Sequence, residues 1–176
     1  MKINIEQLKK EQAAEFWQLA FSNPTPEWKK WDGPYFNDRF PSLEEFSNDD
    51  YYYENPLFQV IMVDDQMVGC VTAYYEDGDL KKWLEIGIVI YQSNQWQKGI
   101  GKAALSKWIN QLWTTTDLPH LGLTTWSGNT RMIHLAESLG MKQEACIRKV
   151  RYWQDQYWDS VKYGILREES KLSDVE

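Results

Sequence analysis

The chain has 176 residues, 43% hydrophobic and 15% aromatic, which suits one domain burying roughly 70% of the surface its unfolded chain exposes. This composition excludes the low-hydrophobicity, high-charge class of disordered chains. A net charge of -7 argues against a protein that neutralises nucleic-acid phosphates or docks on anionic lipid, since both need clustered Lys and Arg, and favours a cationic partner.

In chain order, Ile3 and Ile5 alternate with polar residues as in a short strand. Ala13, Phe16, Trp17 and Ala20 then recur at helical spacing. Asn23-Pro24-Thr25-Pro26 breaks this helix, and Trp28 to Phe40 reads as an ordered loop. A second helix is predicted from Ser42 as N-cap, with Glu44 and Glu45 in a first turn where negative charge suits the helix dipole. Phe58 to Val63 and Met67 to Tyr75 are β-rich runs joined by Asp64-Asp65-Gln66. The turn Glu76 to Asp79 leads to an apolar strand, Trp83 to Tyr91, which makes three consecutive antiparallel strands.

From Gly99 the period changes: Ala104, Leu105, Trp108, Ile109 and Leu112 form one helical stripe. A strand follows at Leu121 to Trp126, then a helix with Met132, Leu135, Ala136 and Leu139 on one face, ended by Gly140 as a left-handed cap. Ala145 to Trp153 and Ser160 to Leu166 read as a closing hairpin, and residues 167–176 as a polar tail. With no repeat or linker, residues 1–176 are expected to form a single domain. The class is α/β, about seven strands with about four helices.

No stretch approaches the roughly 20 apolar residues of a membrane span, and Met1 to Lys10 lacks the apolar core of a signal peptide. A cytoplasmic protein with no membrane partner is expected. Cys70 and Cys146 lie in separate apolar segments and are expected to be buried thiols. His120 and His134 stand alone, so neither metal binding nor a Ser-His-Asp triad is expected. The ten Trp and ten Tyr suit either a pocket lining or an aromatic-rich core.

The informative segment runs from Leu84 through Tyr91 and on through Trp96-Gln97-Lys98-Gly99-Ile100-Gly101 to Leu105: strand, loop, helix start. Unpaired N–H groups at a helix N-terminus attract phosphate, and Gly99 and Gly101 permit close backbone approach. A Walker A loop fails here, because Trp96 replaces its first Gly and Ala103 its Ser or Thr. A dinucleotide fingerprint fits Gly99, Gly101 and Ala104 but should follow its strand directly, and a long polar loop intervenes.

These residues resemble the GNAT superfamily of N-acetyltransferases, in the branch that includes RimJ/RimL-like and diamine acetyltransferases. The shared motif is Q/R-x-x-G-x-G/A, matched by Trp96 to Gly101 with Trp in the first position. The resemblance continues through Glu85-Ile86-Gly87, Asn129, Leu139-Gly140-Met141, Glu144, Arg148, Asp159, Tyr163 and Leu166. It implies a mixed, mostly antiparallel sheet with strands four and five splayed around the pantetheine arm of acetyl-CoA, and no metal. On that resemblance Gln97, Lys98, Gly99, Ile100, Gly101 and Lys102 cradle the pyrophosphate, mainly through backbone N–H groups. Val89 and Ile90 contact the pantetheine or acetyl carbonyl, one of their N–H groups serving an oxyanion. Asn129 holds the cofactor arm or caps the next helix.

Glu85, in an apolar run, is the expected general base, the alternative being a carboxylate paired with a neighbouring strand's cation. Relatives place a Tyr on the fourth helix to protonate the leaving thiolate, and this chain has Ala136 there. That departure is the one support for a different class, a non-catalytic acyl-CoA-binding or regulatory module. Trp28, Trp31, Tyr35 and Phe36 are expected to wall the acceptor pocket. The acidic stretch from Asp38 to Glu54 is opposed only by Arg39, which either attracts a small amine or protein N-terminus or is a solvated face. The resemblance also implies a possible homodimer.

Overall fold

The structure is a computed structural model that describes residues 1–170. Its centre is a seven-stranded sheet in the order β1-β2-β3-β4-β5-β7-β6. The strands are β1 (Ile3–Glu6), β2 (Phe58–Val63), β3 (Gln66–Tyr75), β4 (Leu84–Ile90), β5 (His120–Trp126), β6 (Lys142–Trp153) and β7 (Gln156–Leu166). All neighbours pair antiparallel except β4 and β5, which are parallel. The β2–β3 turn is tighter than the three residues the sequence suggests. Asp64 and Asp65 both take positive φ, 46° and 64°, the mirror-image turn whose twist matches a hairpin and which Asp tolerates.

Four helices cover the sheet: α1 (Ala13–Ala20), α2 (Leu43–Asn48), α3 (Ile100–Thr115) and α4 (Thr130–Ser138). The expected stripe of α3 packs with Ala136 and Leu139 of α4 against Leu84, Ile86, Leu121 and Leu123 on one face. The buried Trp108 indole N–H donates to the carbonyl of Thr72, 3.0 Å away, so its polar edge is satisfied inside the core. On the opposite face Phe16 of α1 stacks on Phe46 of α2 at 5.3 Å and meets Phe58 and Tyr91 edge-on. Both faces being covered, β2 is apolar along nearly its whole length rather than alternating. Ser42 caps α2 as expected: its hydroxyl accepts from Glu45 N–H at 3.1 Å, and the Glu45 carboxylate accepts from Ser42 N–H at 2.7 Å.

Three expectations are corrected here. The closing hairpin is longer, because β6 is an edge strand exposed along most of its length and its polar start pairs with β7: Lys142 lies opposite Gly164 and Gln143 opposite Tyr163, whose hydroxyl donates to the Gln143 side-chain oxygen at 3.4 Å. Cys146 sits on that edge and is exposed, while Cys70 is buried. The polar tail is not free at its start: Arg167 donates to the carbonyls of Leu118, Trp113 and Thr116 at 3.0, 2.7 and 2.6 Å. Ser170 is buried, and residues 171–176 lie outside the described residues.

Candidate active site

β4 and β5 are paired only at Leu84↔Leu121 and Glu85↔Gly122. Beyond that they diverge, opening a cleft of about 460 Å³. Its walls are Ile86 to Ile90 on one side and Thr124 and Thr125 on the other, with Met132 and Leu135 of α4 above. Strand pleating decides which backbone groups enter it. Tyr91 N–H donates to Val68 on β3 at 3.0 Å, and because amides alternate sides along a strand, Val89 N–H also faces β3 while Ile90 N–H faces the opening. Of the two predicted oxyanion donors the geometry therefore leaves Ile90, with Val89 lining the cleft but its amide turned away.

The loop after β4 meets the cleft mouth. Gln97 and Gly99 both adopt left-handed backbone, φ 61° and 79°, and Gly99 precedes α3 with no side-chain cap. Ala103 N–H bonds back to Gly99 at 3.1 Å, so the amides of Ile100, Gly101 and Lys102 have no partner within the helix. A Cβ on Gly101 would lie 3.4 Å from Leu135 and 3.7 Å from Ile90, so any longer side chain would enter the mouth. Gln97, Gly99, Gly101 and Lys102 line the cleft. Lys98 and Ile100 do not: Lys98 points to solvent, and Ile100 is 1% exposed, packed into the core. Three free amides, the Lys102 ammonium and the positive end of α3 are the donor set a pyrophosphate needs.

Glu85 is 2% exposed and stands at the closed end of the cleft rather than in its lining. Its Oε1 accepts from the Trp83 indole at 3.0 Å and its Oε2 from the Thr124 hydroxyl at 2.6 Å. Lys162 Nζ donates to that same hydroxyl oxygen at 2.9 Å. The carboxylate also lies over Gly122, where a Cβ would come within 2.3 Å of Oε1. The expected base is thus a held carboxylate that touches the cleft only through Thr124.

Asn129 lines the cleft, yet both ends of its amide are committed. Its Oδ1 accepts from Met132 N–H at 3.1 Å as the cap of α4, and its Nδ2 donates to the carbonyl of Trp31 at 3.1 Å. The Trp126 indole donates to that carbonyl too, at 2.9 Å. The loop between α1 and α2 is thereby moored across the splayed strands. Of the four predicted acceptor residues, Trp28 and Trp31 line the cleft. Tyr35 packs against Trp126 and Phe36, and Phe36 is 48% exposed, so neither reaches it. Arg39 pairs with Glu45 at 2.9 Å, and Lys29, from outside the acidic stretch, pairs with Asp38 at 2.6 Å.

Sequence reading missed Asp32, Arg131 and His134, all of which line the cleft. The Arg131 guanidinium sits between two indoles, 4.3 Å from Trp31 and 4.4 Å from Trp96, joining the moored loop to the loop between β4 and α3 by paired cation–π contacts. Positions 131, 134 and 135 share one side of α4 while Ala136 is buried, so a helical wheel carried the signal for Arg131 and His134. Asp32 had none, being in an aperiodic loop. It is exposed at the mouth, but the dense wall around it desolvates its carboxyl and raises it above the ordinary range; Lys29 opposes the shift and Asp38 adds to it.

Among the described residues no group of three or more His, Cys, Asp or Glu could hold a metal ion. No helix among them is long and apolar enough to cross a membrane. No curated protein matches the sequence. Among solved structures, a GNAT-family acetyltransferase from Bacillus anthracis is similar at TM-score 0.75 and 18% identity, over 96% of this chain and 97% of that one. Spermidine N-acetyltransferase from Vibrio cholerae, in complex with CoA and spermine, is similar at TM-score 0.76 and 17% identity, over 95% and 96%. The protein yncA from Salmonella typhimurium, with its cofactor acetyl-CoA, is similar at TM-score 0.71 and 16% identity, over 100% and 96%. At these identities the likeness is one of fold. The family model described as acetyltransferase (GNAT) domain matches residues 2–142, a span that holds the splayed strands, the uncapped start of α3 and the whole cleft lining, and the chain belongs to that family.

Proposed function

We propose that this protein transfers the acetyl group of acetyl-CoA to a primary amine by direct attack in a ternary complex, and that it lies in the RimJ/RimL-like branch of its family. The observation that carries the reading is the cleft itself, with free helix amides at one end and an aromatic wall at the other. Acetyl-CoA supplies the acyl group as an activated thioester. The backbone from Gln97 to Lys102 holds its pyrophosphate, Val89 and its neighbours on β4 flank the pantetheine, and Ile90 N–H receives the negative charge that grows on the carbonyl oxygen. Asn129 contributes by mooring Trp31 as part of the acceptor wall. A small polyamine or a protein N-terminus is the acceptor, consistent with the net charge of -7 and with the spermine bound by the Vibrio structure. Residues 1–170 act as one acetyltransferase domain.

A thermal-shift titration tests the donor site: acetyl-CoA at 100 times its Kd should stabilise the fold by about 2.7 kcal/mol. Gly101→Val, filling the space toward Leu135 and Ile90, should abolish that rise while the variant still folds. Thiol release is then followed with a panel of amines. No saturable shift across the millimolar range would refute the reading. A shift with no thiol release for any amine would favour a non-catalytic acyl-CoA-binding module, the class to which the buried Ala136 points.

A further inference from the structure

Among the described residues, the cleft lining carries a single carboxylate, Asp32. It accepts no hydrogen bond and closes no ion pair, and the nearby Lys29 ammonium is already held by Asp38 at 2.6 Å. Glu85 is the opposite case, buried with both oxygens engaged. A carboxylate at the cleft mouth with no partner in the protein is free to pair with a cation that enters the cleft. Beside it in the lining stand the Trp28 and Trp31 rings, flat apolar area against which the body of an amine can lie.

We infer that Asp32 docks the ammonium of the acceptor and takes its first proton, which makes the acceptor an aliphatic primary amine presented as a cation. This rests on the acetyl-transfer reading. The ammonium gives one proton to the Asp32 carboxylate, and the freed nitrogen lone pair forms the C–N bond to the acetyl carbon. The C–S bond breaks and its electron pair leaves with sulfur. The second nitrogen proton goes to the departing thiolate through solvent, yielding amide and CoA thiol, and Asp32 returns its proton to water.

Lys29, Asp38 and Tyr35 surround Asp32 from its own loop, Arg151 of β6 lies beyond Tyr35, Arg131 of α4 lies across the Trp31 ring, and Cys70 and Tyr91 lie beneath. Desolvation is the largest influence on the carboxyl and pushes it up. Because the ionised form is the one that works, activity is lost as pH falls through that raised value and is full above it.

The test uses 1,4-diaminobutane as probe with the full chain, Asp32→Asn and Asp32→Glu. At saturating acetyl-CoA, Asp32→Asn should lower kcat/KM by about 10²–10⁴ and remove the acid limb of the pH profile. Asp32→Glu should restore the limb and part of the rate, and the acetyl-CoA thermal shift should be the same in all three. A variant within about threefold of wild type with an unchanged acid limb overturns the inference. If wild type releases no thiol with any amine, the acetyl-transfer reading has failed by itself. Calorimetric titration of the amine into the acetyl-CoA-free chain then decides the docking role: binding that Asp32→Asn abolishes supports it, while equal or absent binding overturns it.

Discussion

The indole N–H of Trp96 donates to the backbone carbonyl of Ile90 at 2.8 Å. That single bond folds the loop between β4 and α3 back onto the last residue of β4, the same residue whose amide faces the opening. A strand end and a helix start that would otherwise move separately are held at one spacing before any ligand binds, which lowers the ordering cost of binding. Trp96→Phe keeps a ring against Arg131 and deletes the donor. It should weaken acetyl-CoA binding about tenfold, the worth of one lost hydrogen bond, with a smaller effect on kcat, as read by calorimetric titration and steady-state kinetics.

Glu85→Gln separates holding from base catalysis. Gln can accept with one oxygen only, so either Trp83 or Thr124 loses its acceptor. Urea unfolding should show a loss of about 1–3 kcal/mol. If Glu85 acts only through Thr124, the acid limb of the rate profile survives in this variant; disappearance of the limb would reinstate Glu85 as the base.

Arg167→Ala should destabilise the chain by about 1.5–3 kcal/mol, the range for hydrogen bonds to a charged group. Its guanidinium closes the carbonyls of Trp113, Thr116 and Leu118 around the end of α3, far from the cleft. The acetyl-CoA affinity should not change, and a loss of affinity equal to the loss of stability would contradict this assignment.

The two thiols should titrate unequally. Burial pushes Cys70 up to about 12, with the Tyr91 hydroxyl 3.2 Å from its sulfur lowering it and Asp32 raising it. Cys146, on the exposed edge of β6, is raised as well, by desolvation and then Asp159. Because the thiolate is the nucleophile, reaction of folded protein with an aromatic disulfide at pH 8 should release one thiol's equivalent and quicken as pH rises. Denaturant should release the second, and two equivalents from the folded state would refute the burial of Cys70.

Much of the frame was legible because it obeys short periods. The α3 stripe, the Ser42 cap and the Gly140 stop are local signals, and the glycines at 99 and 101 marked the end of the cleft at the start of α3. At the aromatic end of the cleft only Trp28 and Trp31 were legible, and the rest was not, for a physical reason. Asp32, Trp31, Arg131 and Trp96 come from three separate segments, brought together by the Trp126 and Asn129 bonds to one carbonyl and by a guanidinium between two indoles. None of those relations has a spacing in the chain. Val89 and Ile90 were adjacent letters, and only the pairing with β3 tells their amides apart. Glu85 stood out as a charge in an apolar strand, but its two donors, Trp83 and Thr124, lie on different strands or strand ends and were invisible together.

The mooring of the loop between α1 and α2 also bears on how this protein can change. Trp126 and Asn129 grip Trp31 by its main-chain oxygen and not by its ring. Every amino acid carries that oxygen, so the anchor places no demand on the letter at position 31. The side chains this segment presents to the cleft can drift or be redesigned while the segment stays tied at the same height above the splayed strands.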